Sequence, residues 1–324
     1  MILYLIGIDY RSAPISLREP IYRRRSEIVS FCRDTGEEIS ALFTCNRIEL
    51  YGISENIFQA ARSIKLFQER FPHVFELSYV KQGTEEVIEH ALRLACGLES
   101  QIAGEEEITQ QLNSWVSQDS FSWVSREIWN EILVRAEDIR IKSGLKGVKD
   151  NIAKIIFKDL EGQKKMVVIG TGKIARVFSE NKPAGVSLYF AARKKHKRAT
   201  RLARQAGAKA ILLDDLPDAF LRADAVISAT SSPHYVLKKG HFLDISKKRQ
   251  RPLYVYDLAV PRDVEPDAGK VPGIFLQNLD DLDPVFKEHN KALDSHIKKA
   301  ELLILHHIFE IAGKVREKSD AYSY

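Results

Sequence analysis

The first residue that could do covalent chemistry is Cys45, which lies in the run Thr44, Cys45, Asn46, Arg47 between two apolar segments. Those segments predict two strands that meet at a polar turn, and such a turn can present a thiol to solvent. We expect Arg47 to stabilise a thiolate and to lower its pKa. Thr44 and Asn46 supply donors for a substrate carbonyl or its oxyanion.

A second chemical motif is a glycine-rich run that follows a predicted strand and opens a predicted helix. In the pattern G-x-G-x-x-G/A the glycines allow a tight turn and a close approach of the backbone to a pyrophosphate, which the helix amino terminus then binds. This context makes the run a predicted dinucleotide site, and its residues are Gly170, Thr171, Gly172, Lys173, Ile174 and Ala175.

The residues after the second predicted strand of that domain bear on the choice of coenzyme. An NAD site would carry Asp or Glu about 20 residues beyond the turn, to bind the ribose 2′-hydroxyl. This sequence has Ala192 there, followed by a basic run that begins with Arg193 and Lys194. A guanidinium can bind a 2′-phosphate, so we predict NADPH, with Lys197 and Arg198 as solvated positions.

A thiol and a reduced nicotinamide together suggest a two-step reaction. The thiolate attacks an acyl donor to give a thioester, and a hydride then releases an aldehyde, since a thiolate is also a good leaving group.

The elements that must position these groups change along the chain. Residues 2–8 and 39–52 show strand patterns and residues 84–143 are mostly helical, so the first part is predicted to be α+β. The second part alternates strand and helix and predicts a parallel, Rossmann-type α/β sheet. Its strands are predicted at residues 164–169, 186–191, 209–213, 224–229, 253–258 and 274–276.

The last segment carries apolar residues at steps of three, four or seven from Phe286 to Val315, which predicts one long helix. The helix could pack on its own domains, or it could tie the domains together or pair with another subunit. We therefore predict a first domain over residues 1–146, a nucleotide-binding domain over 147–283 and a long helix over 284–324.

Composition sets the broad class. The chain of 324 residues has 49 Lys+Arg against 44 Asp+Glu, a mild net charge of +5 that suits an acidic partner such as RNA without requiring one. Its three cysteines make no disulfide framework, and Cys32 and Cys96 fit small buried core residues. No signal peptide or membrane span is evident, so we expect a cytoplasmic protein with no membrane partner.

Four blocks of the sequence, taken in order, resemble glutamyl-tRNA reductases. The run from Thr44 to Tyr51 resembles the family's nucleophile motif, and the stretch from His90 to Gln111 resembles its substrate-binding segment. Residues 224–230 and 257–263 resemble two further blocks of the nucleotide domain.

The resemblance implies NADPH-dependent reduction of glutamyl-tRNA(Glu) to glutamate-1-semialdehyde, an early step of tetrapyrrole (porphyrin) biosynthesis. It makes Cys45 the nucleophile and His90 a catalytic residue that could act as general acid or orienting group. It implies no metal. The residues that it places around the glutamyl group are Thr44, Asn46, Arg47, Ser100, Glu105, Glu106, Glu107 and Gln111. Arg47 would pair with a substrate carboxylate.

The sequence also departs from the family. Gln101 stands where the family usually has Met, and Glu107 stands where it usually has Gln, which adds a negative charge. The family's sequences usually continue past the long helix into a helical dimerisation domain, and we expect that domain to be largely absent here, since this sequence ends at Tyr324. The resemblance implies a homodimer and a glutamate-1-semialdehyde aminotransferase as partner.

Two alternative functions compete with this interpretation. A shikimate-type NADP-dependent dehydrogenase would share the nucleotide domain but would not need Cys45. A non-catalytic tRNA-binding regulator would bind tRNA without hydride transfer, and the intact Thr44–Arg47 run and glycine turn argue against it.

Overall fold

The computed structural model describes residues 1–118, 121–148, 151–192 and 197–321. The chain forms two compact units. The first contains Met1–Lys149 together with Lys287–Tyr324, and the second is Asp150–Phe286. Within the described ranges, no helix is both long and apolar enough to cross a membrane.

The first unit is built on an antiparallel sheet with the strand order β2-β3-β1-β4. The strands are β1 (Ile2–Asp9), β2 (Glu38–Phe43), β3 (Arg47–Ser54) and β4 (Tyr79–Gln82). Strand β1 is apolar from Ile2 to Ile8, and both of its faces are covered. Leu3 and Leu5 pack in one hydrophobic cluster, whereas Tyr4, Ile6 and Ile8 pack in another on the opposite face.

Between β1 and the end of this part of the chain, the described residues form seven α-helices. They are α1 (Ile15–Arg23), α2 (Arg25–Asp34), α3 (Ile57–Arg70), α4 (Pro72–Phe75), α5 (Thr84–Ala95), α6 (Glu106–Val116) and α7 (Trp123–Ser143). The side chain of Ser122 caps α7 by accepting a hydrogen bond from the Ser125 amide. The α+β prediction for this part of the chain is confirmed.

The second unit is a six-stranded parallel sheet with the order β10-β9-β8-β5-β6-β7. Its strands are β5 (Lys165–Ile169), β6 (Ser187–Ala192), β7 (Lys209–Leu212), β8 (Ala225–Ser228), β9 (Leu253–Asp257) and β10 (Ile274–Asn278). On one side of β5 lie β6 and β7, which follow it in the chain. On its other side lie β8, β9 and β10, so the strand order reverses between β5 and β8. Ligands of such sheets bind at the carboxyl ends of the strands where the order reverses.

The helices of the second unit are α8 (Ile152–Asp159), α9 (Lys173–Glu180), α10 (Lys197–Gln205), α11 (Leu216–Arg222) and α12 (Lys239–Lys248). Short 3-10 helices occupy Leu145–Gly147 in the first unit, and Leu213–Asp215 and Pro266–Lys270 in the second. All six predicted strands are present, and the Rossmann-type fold is confirmed.

The terminal segment differs from the predicted single helix. It forms two helices, α13 (Asp283–Lys291) and α14 (Asp294–Ala321), with a break between them. The predicted apolar seam is intact: Ile304, Ile308, Ile311 and Val315 are buried in the cluster that also contains residues of α5 and α7. The seam therefore packs against the first unit of its own chain.

Candidate active site

Cys45 lies on the turn between β2 and β3, and hydrogen bonds hold that turn. The Thr44 amide donates to the Arg47 carbonyl at 2.9 Å, and Thr44 Oγ1 accepts from the amides of Asn46 and Arg47, both at 3.2 Å. Arg18, from α1, donates to the Cys45 carbonyl at 2.8 Å. Cys45 is exposed, whereas Cys32 and Cys96 are buried. The turn therefore holds a thiol at the surface, as predicted.

The surroundings of the thiol disfavour the thiolate. Desolvation, together with the carboxylates of Glu105 and Glu107, raises the pKa of Cys45 to about 12, and Arg18 opposes this only in part. The predicted lowering of this pKa by Arg47 is wrong.

Arg47 instead belongs to a buried network centred on Glu49. Arg47 is 1% exposed; it donates to Glu49 Oε1 at 2.7 Å and, through its other terminal nitrogen, to the Glu99 carbonyl. Glu49 also accepts from the hydroxyls of Tyr51 and Tyr79. Both terminal nitrogens of Arg47 thus have partners within the protein.

His90 lies in the same network, with its Nε2 atom 2.9 Å from Glu49 Oε1. Burial alone would raise the pKa of Glu49, but Arg47 and His90 outweigh it, so the pKa of Glu49 is well below its usual value. Glu49 was not among the predicted site residues. The signal was the strand period of two, which places residues 47, 49 and 51 on one face of β3.

The predicted substrate-binding segment forms a turn of chain followed by α6. Ser100 is buried in the turn, and Glu105 directly precedes the helix. Glu107, in the first turn of α6, accepts a hydrogen bond from Gln111 at 3.2 Å. Glu106 is exposed on the same helical turn. The structure thus brings Glu105 and Glu107 to Cys45, and His90 to the network of Arg47.

One buried acceptor beside the thiol lacks a hydrogen-bond partner. Asn46 is 9% exposed, and no donor within the described part of the chain reaches its Oδ1 atom. A buried amide oxygen without a donor is costly, so this atom suits an N–H or O–H group of a ligand.

The glycine-rich turn lies at the carboxyl end of β5, where the strand order reverses. Gly170 has a φ of +115°, and a Cβ atom there would lie 2.3 Å from the Ala229 carbonyl oxygen. A Cβ atom on Gly172 would meet nothing within 4 Å, which leaves the backbone open to a ligand. Ala175 is fully buried in α9. These are the properties that a pyrophosphate-binding turn requires.

The turn borders a cleft of about 790 Å³ that opens to solvent. Its other walls come from the segments after β8 and β9 and from the start of α10. The lining includes Gly170, Thr171, Gly172, Lys173, Ile174, Ala192, Arg198, Leu213, Ala229, Thr230 and Leu258. The volume and the open backbone fit a dinucleotide.

Two buried aspartates brace the far wall of the cleft. Asp263 accepts from the Ser228 hydroxyl at 2.8 Å and from the Thr230 amide at 2.7 Å. Asp257 accepts from the Val264 amide at 2.8 Å, and burial raises the pKa of Asp257 to about 7. These bonds explain the two blocks of sequence around residues 224–230 and 257–263.

The basic residues predicted to select the coenzyme have different outcomes. Arg193 and Lys194 lie outside the described residues. Lys197 is exposed, as predicted. Arg198 is exposed too, but it lines the cleft and therefore does more than face solvent.

Two family models match the chain, one in each unit. The model described as Glutamyl-tRNAGlu reductase, N-terminal domain, matches residues 6–136. The model described as Shikimate / quinate 5-dehydrogenase matches residues 151–285. The first match spans the Cys45 turn and the second spans the glycine-rich turn.

Individual proteins align across both units. The glutamyl-tRNA reductase of Maridesulfovibrio salexigens is 31% identical over 321 residues, which cover 93% of this chain and 73% of that protein. The Bacillus subtilis enzyme of the same name is 30% identical over 340 residues, covering 96% of this chain and 73% of that protein. The solved glutamyl-tRNA reductase from Methanopyrus kandleri is 25% identical with a TM-score of 0.49, covering 98% of this chain and 80% of that chain.

Proposed function

The chain belongs to the glutamyl-tRNA reductase family, and from this we propose that Cys45 carries the glutamyl group during reduction of glutamyl-tRNA(Glu) to glutamate-1-semialdehyde. The observation that carries the proposal is the exposed thiol on a hydrogen-bonded turn, since the other two cysteines are buried. In this role the protein is an oxidoreductase of tetrapyrrole biosynthesis.

The first chemical step takes place on Cys45. Its sulfur attacks the carbonyl carbon of the aminoacyl ester and a C–S bond forms. The ester C–O bond breaks, and the terminal ribose oxygen leaves with the proton that the thiol gave up. A reduced nicotinamide coenzyme, when bound, supplies the hydride that releases the thioester carbon as an aldehyde.

The acceptors around Cys45 support recognition of the substrate's ammonium group. Glu105 and Glu107 both act electrostatically on the thiol, and Asn46 Oδ1 is buried without a donor. The α-ammonium of a glutamyl ester is the part of the substrate that can satisfy such a set. Its positive charge would also offset the two carboxylates and lower the pKa of the thiol, so that Cys45 is activated when substrate is bound.

Recognition of the substrate's carboxylate by Arg47 requires a rearrangement, because Arg47 already pairs with Glu49 and the Glu99 carbonyl. His90 shares this network, and its role as general acid or orienting group stays a prediction. Ser100, Glu106 and Gln111 likewise stay predicted substrate-binding residues.

The second unit binds a nicotinamide coenzyme, and we propose that the coenzyme is NADPH. Backbone amides at the start of α9 suit the pyrophosphate, with Gly172 open to it. Strand β6 ends at Ala192, so the position where an NAD site carries Asp or Glu has no carboxylate. Arg198 lines the cleft and offers a guanidinium to a 2′-phosphate. Arg193 and Lys194 stay predictions.

The proposal is tested by single-turnover reactions with glutamyl-tRNA labelled in the glutamyl group. Wild type should form a covalent label without NADPH and free aldehyde with NADPH, while Cys45→Ser should form neither. Cys32→Ser is the matched control and should behave as wild type, because Cys32 is buried in the hydrophobic core.

Labelling of Cys45→Ser at the wild-type rate, or an unlabelled wild type, would contradict the proposal. Oxidation of shikimate or quinate by the chain would instead favour the dehydrogenase alternative. The homodimer, the aminotransferase partner and the cytoplasmic location stay predictions.

A further inference from the structure

The residues between α5 and α6 form a closed loop, which we call the substrate loop (residues 97–104). Its neck is formed by Gly97 and Gly104, both with φ near +75° to +79°, and the Gly104 amide donates to the Gly97 carbonyl at 3.1 Å. A Cβ atom on Gly97 would lie 3.1 Å from the backbone of Gly104, so the two ends of the loop pack closely against each other. Ser100 and Gln101 are buried within the loop.

The neck is held from one side by a buried arginine. Arg140, at the end of α7, is 1% exposed and donates to the carbonyls of Cys96 at 3.0 Å and Gly104 at 2.9 Å. A third bond reaches the Glu105 carbonyl at 3.3 Å. These bonds fix the neck and the start of α6, but they do not reach the tip of the loop.

The tip is held by the amide side chain of a residue from a distant part of the sequence. Asn290, in the part of α13 that belongs to the first unit, accepts from the Ala103 amide at 2.9 Å through Oδ1. Its Nδ2 atom donates to the Gln101 carbonyl at 2.8 Å. Asn290 thus satisfies one donor and one acceptor of the loop backbone on either side of Ile102.

We propose that Asn290 is a positioning residue that holds the substrate loop in the conformation that presents Ser100 and Glu105 to the glutamyl group. The identity of the group that the loop binds rests on the proposed function. The contact between Asn290 and the loop rests on the two hydrogen bonds. The Gln101 carbonyl that Asn290 fixes directly follows Ser100, and the Ala103 amide lies two residues before Glu105. Without Asn290, these backbone groups lose their partners and the loop gains freedom.

The test compares Asn290→Ala with Asn113→Ala in the full chain. Asn113 is exposed on α6 and donates only within its own helix, to the Thr109 carbonyl at 2.8 Å. Two measurements are made on each variant: hydrogen exchange of the substrate loop without substrate, and the single-turnover rate constant for transfer of the glutamyl group to the enzyme at saturating glutamyl-tRNA.

Asn290→Ala should raise exchange of loop amides about tenfold and lower the transfer rate constant about tenfold, the effect expected for one to two lost hydrogen bonds. The dissociation constant of NADPH should stay within about twofold of wild type, because Asn290 holds only the first unit's loop. Asn113→Ala should change none of these quantities.

Unchanged loop exchange in Asn290→Ala would overturn the proposal, whatever happens to activity. A merely structural role would lower the folded fraction while the folded molecules kept the wild-type rate constant, and that result would also overturn it. If wild type transfers no glutamyl group, the proposed function fails, yet the exchange measurement still decides whether Asn290 holds the loop.

Discussion

The cleft of the second unit is walled mainly by backbone and small side chains, whereas the thiol turn of the first unit is surrounded by charged side chains from α1, β3 and α6. In the cleft, Gly170 and Gly172 are important because of the atoms that they lack. Around the turn, Glu49 and Arg47 matter because their charges are buried together. We therefore expect substitutions in the cleft to act through steric clashes. Substitutions around the turn should act through buried charge that is left without a partner.

The largest expected effect comes from the buried ion pair. Glu49→Gln leaves the Arg47 guanidinium buried without a carboxylate, which should lower the free energy of unfolding by about 3 kcal/mol. Chemical denaturation at pH 7 measures this change. The matched variant Glu27→Gln removes the exposed partner of Arg24 and should leave stability unchanged within error.

The same variant has a defined pH dependence. Because the pKa of Glu49 is lower in the folded protein than its usual value of 4.5, the stability that it contributes is fully present above about pH 4.5. That contribution is lost as the pH falls toward the folded pKa. The difference between wild type and Glu49→Gln should therefore shrink below pH 4.5, and a difference that grows there would contradict the assignment.

A smaller effect is expected at the rim of the cleft. Arg198→Ala should weaken NADPH binding about tenfold and leave NADH binding unchanged, because only NADPH carries the 2′-phosphate. Fluorescence titration of both coenzymes measures the change. Arg204→Ala, on the last turn of the same helix, serves as the control. An equal loss for both coenzymes would show that Arg198 does not read the phosphate.

The smallest effect is expected at Glu107, the residue that departs from the family pattern. Glu107→Gln removes one of the carboxylates that raise the pKa of Cys45, so the thiolate fraction should increase. Alkylation of Cys45 by iodoacetamide at pH 7 should become about fivefold faster. Glu106→Gln should change this rate much less, because Glu106 is exposed and solvent screens its charge.

The two regions also differ in how far the sequence predicts them. The glycine turn, the six strands and the exposed thiol could be predicted because each depends on neighbours within a few residues. The contact of Arg47 with the Glu99 carbonyl could not, because the tertiary fold brings that carbonyl to it. The role of Asn290 could not be predicted for the same reason, because it contacts Ala103, which lies 187 residues away in sequence.

The break between α13 and α14 shows a further limit. The apolar steps from Phe286 to Val315 continue through Ala292 and Leu293, so periodicity alone predicted one helix. Leu293 is buried at the break and its amide bonds to the Asn290 carbonyl. A seam can thus stay continuous across an interruption of the helix.

The most direct test of the account is whether the two half-reactions separate between the two units. In Gly170→Ala, the added methyl group would lie 2.3 Å from the Ala229 carbonyl oxygen, so the coenzyme cleft should be damaged while the Cys45 turn stays intact. Mass spectrometry of this variant, after mixing with glutamyl-tRNA and NADPH, should find the glutamyl thioester trapped on Cys45. Conversion to aldehyde at the wild-type rate, or no acyl group on Cys45, would contradict the account.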